Sequence, residues 1–170
     1  MVNPASREAE TPAFSMTTDS PEATRLLAEA LGASCRGGDV LLFTGDLGAG
    51  KTCFIQGLAR GLGIDPATRV TSPTFTLHAQ YEGRLLLNHL DLYRLDEPVQ
   101  AESLGVSELL DAPGSVLAIE WPELLADAAT GECLRLTLAH CGETQRNITA
   151  AAEGPRHQEL LERFKAKLKN

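Results

Sequence analysis

The segment Gly45-Asp46-Leu47-Gly48-Ala49-Gly50-Lys51-Thr52 constrains this chain more than any other. It fits G-x-x-x-x-G-K-[ST], and its flanks narrow the reading further. Before it runs Val40-Leu41-Leu42-Phe43-Thr44, a continuous apolar stretch that suits a strand covered on both faces. After it, Phe54, Ile55, Leu58 and Leu62 recur at helical spacing. A buried strand feeding a glycine-rich turn that opens a helix is a cradle for phosphate. Glycines at 45, 48 and 50 let the backbone turn its N–H groups inward. The helix N-terminus adds partial positive charge. Lys51 is placed to reach the β- and γ-phosphates, and the Thr52 hydroxyl to ligate Mg²⁺. The expected ligand is a nucleoside triphosphate with magnesium, and ATP is the expected base because no N-K-x-D guanine signature occurs.

The remaining pattern interleaves helices and strands. Asp19-Ser20-Pro21-Glu22 reads as a helix start, with Glu22 three residues after Asp19 in capping-box spacing. Ala23, Leu26, Leu27, Ala30 and Leu31 form its apolar face, and Gly32 its stop. Residues 70–81 read as β-like, Glu82-Gly83 as a turn, and 85–92 as a second strand. Residues 98–110 suit short helical pieces broken at Gly105. Val116-Leu117-Ala118-Ile119 is another buried strand, 133–139 and 147–151 a late hairpin, and Pro155 the opening of a last helix with Leu160, Leu161, Phe164 and Leu168 inward. The implied fold class is α/β and P-loop NTPase-like, with a mostly parallel central sheet flanked by helices and antiparallel hairpins. Residues 18–170 are expected to form one such domain, and residues 1–17 a disordered Ala/Pro/Ser/Glu-rich extension.

Net charge is −8, so the electrostatic footprint of a protein that grips a nucleic-acid backbone by itself is missing. Of four lysines, three (Lys165, Lys167, Lys169) stand at the C-terminus, where a solvated helix is preferred over a phosphate contact. Lys51 is the fourth, among eleven arginines. A compact ammonium suits a closely wrapped phosphate better than a guanidinium does. The four cysteines show no C-x-x-C spacing, and the four histidines are scattered, which argues against zinc. No apolar run has the length of a membrane span or a signal peptide, so no membrane association and a cytoplasmic location are expected.

A P-loop needs a carboxylate for its metal shell, normally at the end of a neighbouring strand. Glu120 closes an apolar run, where burial is costly unless a cation or hydrogen bonds compensate, and is the metal-side candidate. Asp91 has three possible roles: orienting the attacking water, holding a metal-bound water, or pairing with Arg94. The first two are preferred. Trp121, next to Glu120, serves either as core packing or as a support for that carboxylate or a partner contact.

Taken together, residues 45–52, Thr71-Ser72-Pro73-Thr74-Phe75, His89-Leu90-Asp91-Leu92-Tyr93-Arg94-Leu95 and Glu120-Trp121-Pro122-Glu123 resemble the TsaE family (formerly YjeE), over roughly residues 18–150. That family is the ATPase component of bacterial tRNA threonylcarbamoyladenosine synthesis. The resemblance implies TsaD and TsaB as protein partners, with tRNA met indirectly through them, and ATP use that resets or drives their assembly. It implies that Lys51 and the loop hold phosphate and that Thr52 and Glu120 ligate Mg²⁺. Asp91 serves hydrolysis, Trp121 supports the site, and Ser72-Pro73-Thr74-Phe75 forms a switch-like segment. Two departures stand out. Cys53 replaces a common second Thr. In the late hairpin, where the family often has Gly-Arg near the base, this chain reads Cys141-Gly142-Glu143-Thr144-Gln145-Arg146, with Arg146 the candidate substitute.

Other readings compete. A P-loop small-molecule kinase needs an arginine-rich lid, and between Trp121 and Gly142 the sequence has only Arg135. A nucleotide-gated binding module with negligible turnover is the alternative from another class. No arginine finger is evident, so hydrolysis is expected to be weak alone and faster with partners.

Overall fold

The computed structural model describes residues 13–125 and 131–170. Among these, seven strands form one sheet in the order β1-β7-β6-β2-β5-β4-β3. They are β1 Phe14–Thr18, β2 Val40–Thr44, β3 His78–Tyr81, β4 Leu86–Asp91, β5 Ser115–Glu120, β6 Cys133–His140 and β7 Arg146–Glu153. The four central strands, β6-β2-β5-β4, are parallel; β1, β7 and β3 join antiparallel. The helices are α1 Pro21–Ser34, α2 Lys51–Gly61, α3 Pro98–Glu102, α4 Val106–Leu110 and α5 Pro155–Leu168. The mostly parallel α/β sheet expected from the interleaved pattern is the observed one.

Strand β2 explains the two-sided core. Alternation sends Leu41 and Phe43 to one face of the sheet and Val40 and Leu42 to the other. Leu41 and Phe43 pack with Leu31, Phe54, Ile55, Leu58 and Phe164 from α1, α2 and α5. Val40 and Leu42 pack with Leu90, Ile119, Ala101 and Val106, the last two from α3 and α4. Covering both faces removes every β2 side chain but that of Thr44 from water.

Several local expectations need correction. The extension expected over residues 1–17 lies outside the described residues up to 12, but its last residues belong to β1. Strand β1 pairs with β7, and the Phe14 ring packs on Phe164 at 5.0 Å. The cap of α1 is Ser20, whose hydroxyl accepts from the Ala23 N–H, so Asp19 does not form the expected box. Leu26 faces solvent. Gly32 does not stop α1, which continues to Ser34. A Cβ at Gly32 would lie 2.2 Å from the Leu58 carbonyl oxygen, so this glycine lets α1 and α2 pack backbone to backbone. Residues 70–77 are not a strand; only His78–Tyr81 is. Pro73 lacks an N–H for the ladder, and Ser72 and Thr74 turn their hydroxyls to Asp91 instead. The helical pieces α3 and α4 do break at Gly105, which takes φ 75°. Among the described residues no helix is long and apolar enough to cross a membrane.

Candidate nucleotide site

The glycine loop leaves the end of β2 and opens α2 at Lys51. Gly48 and Gly50 take φ 79° and 102°, in the left-handed region that favours glycine. A Cβ at Gly48 would meet nothing within 4 Å, so that residue faces open cleft. Arg146, at the start of β7, donates from Nε to the Ala49 carbonyl at 3.0 Å and braces the loop from outside. Lys51 is 5% exposed. Its ammonium donates to the carbonyls of Gly45 and, at 3.1 Å, Asp46, and lies 3.8 Å from the centre of the Trp121 ring. Burial pulls its pKa below the ordinary lysine range, while Glu120, Glu123, Asp91 and Asp46 pull the other way.

Parallel register brings the carboxylates beside the loop. Glu120 pairs with Phe43 on β2 and with Asp91 on β4, so both acids stand at the carboxyl ends of central strands. This is where open α/β sheets place ligands. Both are 3% exposed. The Thr52 hydroxyl donates to Glu120 Oε1 at 3.2 Å and lies 3.5 Å from Oε2. His89 Nε2 lies 2.8 Å from the same Oε1. Asp91 Oδ2 accepts from the hydroxyls of Ser72 at 2.6 Å and Thr74 at 3.2 Å, and Oδ1 from the Tyr93 N–H at 3.0 Å. Arg94 does not pair with Asp91; its guanidinium lies over the Phe75 ring at 4.5 Å.

Gly48, Lys51, Thr52, Asp91, Glu120 and Trp121 line one cleft of about 310 Å³. Trp121 takes φ 58° and packs on Tyr93 at 4.9 Å, so it roofs the cleft rather than filling the core. Hard oxygen donors from Thr52 and Glu120 suit Mg²⁺, which binds through one or two protein groups plus phosphates and water. A larger groove of about 650 Å³, lined by Arg25 of α1, Arg60 of α2 and Arg69 of the loop that follows, carries none of these groups.

The structure thus gathers Lys51, Thr52, Asp91 and Glu120 as the sequence reading grouped them. It adds a contact for His89, which that reading quoted within the family motif but gave no role. The missed signal was a polar residue inside the buried strand Leu87-Asn88-His89-Leu90, two before Asp91 and so on its face. Arg146, the candidate for the base, touches the loop backbone.

The strand, glycine loop and helix on a central parallel sheet, with acids at the neighbouring strand ends, define a P-loop NTPase-like protein. A family model described as "Threonylcarbamoyl adenosine biosynthesis protein TsaE" matches residues 18–148. The tRNA threonylcarbamoyladenosine biosynthesis protein TsaE of Bacillus subtilis (strain 168) is 42% identical over 147 residues, 85% of this chain and 89% of that one. Its counterpart of the same description from Treponema pallidum (strain Nichols) is 43% identical over 114 residues, 67% of this chain and 82% of that one. The crystal structure of YdiB from Bacillus subtilis superposes with a TM-score of 0.78 at 35% identity, covering 92% of this chain and 96% of that one. The chain belongs to the TsaE family.

Proposed function

We propose that this chain binds ATP with Mg²⁺ and hydrolyses it in support of the TsaB–TsaD pair during threonylcarbamoylation of adenosine 37 in tRNA. The observation that carries the chemistry is the meeting of the Thr52 hydroxyl and the Glu120 carboxylate, 3.2 Å apart, beside the ammonium-bearing loop. The biological setting rests on family membership.

The backbone N–H groups of residues 45–52 and the Lys51 ammonium bind the triphosphate. Lys51 exchanges its two loop carbonyls for phosphate oxygens, a trade between acceptors that favours the charged one. Thr52 and Glu120 would hold Mg²⁺, which when bound would supply Lewis-acid neutralisation of the phosphate charge. Asp91 orients the water that attacks the γ-phosphorus; the bond to the β-phosphate oxygen breaks, giving ADP and phosphate.

Asp91 is already engaged by three donors, two of them hydroxyls from the 70–77 segment. A carboxylate has about four acceptor sites, so Oδ1, which among the described residues accepts only the Tyr93 N–H, keeps one for a water. Slow turnover by the isolated chain and faster turnover with partners rest on the family setting and on the lack of an evident arginine finger in the sequence. Phosphate release should therefore rise on adding TsaB and TsaD together. A single unchanged slow rate with and without them rejects the coupling, and absence of heat on titrating MgATP into folded protein rejects the site.

A further inference from the structure

His89 is a fully buried histidine that the chemistry above leaves unused, although it touches the carboxylate on which that chemistry depends. Its side chain is 0% exposed, and Nε2 lies 2.8 Å from Glu120 Oε1. Its other nitrogen, Nδ1, is buried and has no hydrogen-bond partner among the described residues. We propose that His89 is a positioning residue for the divalent cation: its Nε2–H pins Glu120 Oε1 and so aims Oε2, with the Thr52 hydroxyl, at the metal.

Three observations support this. First, the tautomer follows from the partners. A proton on Nδ1 would bury an unpaired N–H and set the Nε2 lone pair against a carboxylate lone pair; a proton on Nε2 makes the bond to Glu120 and leaves only the Nδ1 lone pair unpaired. Second, the donors on Glu120 are unevenly placed. Oε1 is gripped by His89 at 2.8 Å and Thr52 at 3.2 Å, whereas among the described residues Oε2 has only the 3.5 Å contact to Thr52. Third, the neighbours Leu87 and Leu90 on the same strand are 0% exposed. An imidazole there costs more to bury than a leucine unless its hydrogen bond is used. Holding a ligating carboxylate from behind is such a use, and losing such a partner typically weakens metal binding about 10–100-fold.

The inference rests on the reading of Glu120 as the metal-side carboxylate, and the test separates the two. Binding of a fluorescent ATP analogue is measured against Mg²⁺ concentration and in EDTA for the full chain and for His89→Leu, His89→Gln and Glu120→Gln. His89→Leu should raise the Mg²⁺ needed for half-maximal binding about 10–100-fold while binding in EDTA is unchanged. His89→Gln, whose amide N–H reaches the Nε2 position, should recover most of that loss. In the unsubstituted chain, ¹⁵N NMR should find the His89 proton on Nε2, a result that needs no variant to fold. An unaltered Mg²⁺ requirement in His89→Leu, an equal loss in EDTA, or a proton on Nδ1 overturns the role of His89 alone. An unaltered requirement in Glu120→Gln overturns the metal-side reading and His89 with it.

Discussion

Replacing Gly32 by alanine sets two physical effects of opposite sign against each other. Intrinsic helix propensity favours alanine by about 1 kcal/mol in a helix interior, and Gly32 sits inside α1. Packing opposes it. The new Cβ would stand 2.2 Å from the Leu58 carbonyl oxygen and 3.0 Å from Gly61 Cα, both backbone atoms of α2. Ordinary contact requires a retreat of about 1 Å, and a gap of that size forfeits roughly a quarter to a half of each neighbouring attraction. The seam that opens includes Leu27, Leu31, Leu58 and Leu62, all 5% exposed or less. Overpacking costs about 1–3 kcal/mol, and with two rigid backbone clashes the upper end applies. The net loss is then about 2 kcal/mol, or roughly 4–8 °C in Tm for a domain of this size. Thermal unfolding followed by circular dichroism measures it. MgATP affinity should hardly change, because Leu58 lies roughly 10 Å along α2 from Lys51. A Tm equal to or above that of the parent would show that propensity wins and that the tight α1–α2 approach is not what Gly32 provides.

Other expectations concern the site and its acid sensitivity. Lys51→Ala should weaken MgATP binding at least about 10-fold, since it removes a charge-assisted donor. Asp91→Ala should retain binding and lower turnover by about 10²–10⁴-fold; comparable loss of binding in both variants, by calorimetry, would remove the role given to Asp91. His157 Nε2 accepts the Val40 N–H at 2.9 Å, so its neutral form is the structural one. Burial, with Arg156, lowers its pKa, against the opposing pull of Asp39, Glu132 and Glu153. A pKa lower in the folded than in the unfolded chain gives stability that is full above about 6.5 and is lost as pH falls through the folded value. His157→Gln keeps an acceptor for Val40 and does not titrate, so its Tm should fall less than the parent's between about pH 7.5 and 5.5; parallel curves would exclude His157 as the cause.

Much of the site was legible because its signals are local. The stretch from Val40 to Thr52 carries apolar run, glycines, lysine and hydroxyl in one contiguous piece. Glu120 was visible as a charge ending a buried run, and the break between α3 and α4 as a lone glycine. What escaped depends on partners distant in sequence. β1 gains its identity only by pairing with β7, some 130 residues later. Gly32 reads as a stop until Leu58 comes against it, and Ser72 and Thr74 read as strand residues until Asp91 supplies a stronger acceptor than a ladder carbonyl.

The amino-acid order by itself determined that a phosphate cradle sits between a covered strand and a helix, because backbone freedom at glycine and side-chain periodicity act over a few residues. Only the tertiary structure decided how groups distant in sequence contact one another beside that cradle. Parallel register set Glu120 beside Phe43 and Asp91 beside Glu120, and strand alternation then put His89 against the same carboxylate. Register is a property of paired strands, fixed by how the two core faces close, and no single segment contains it.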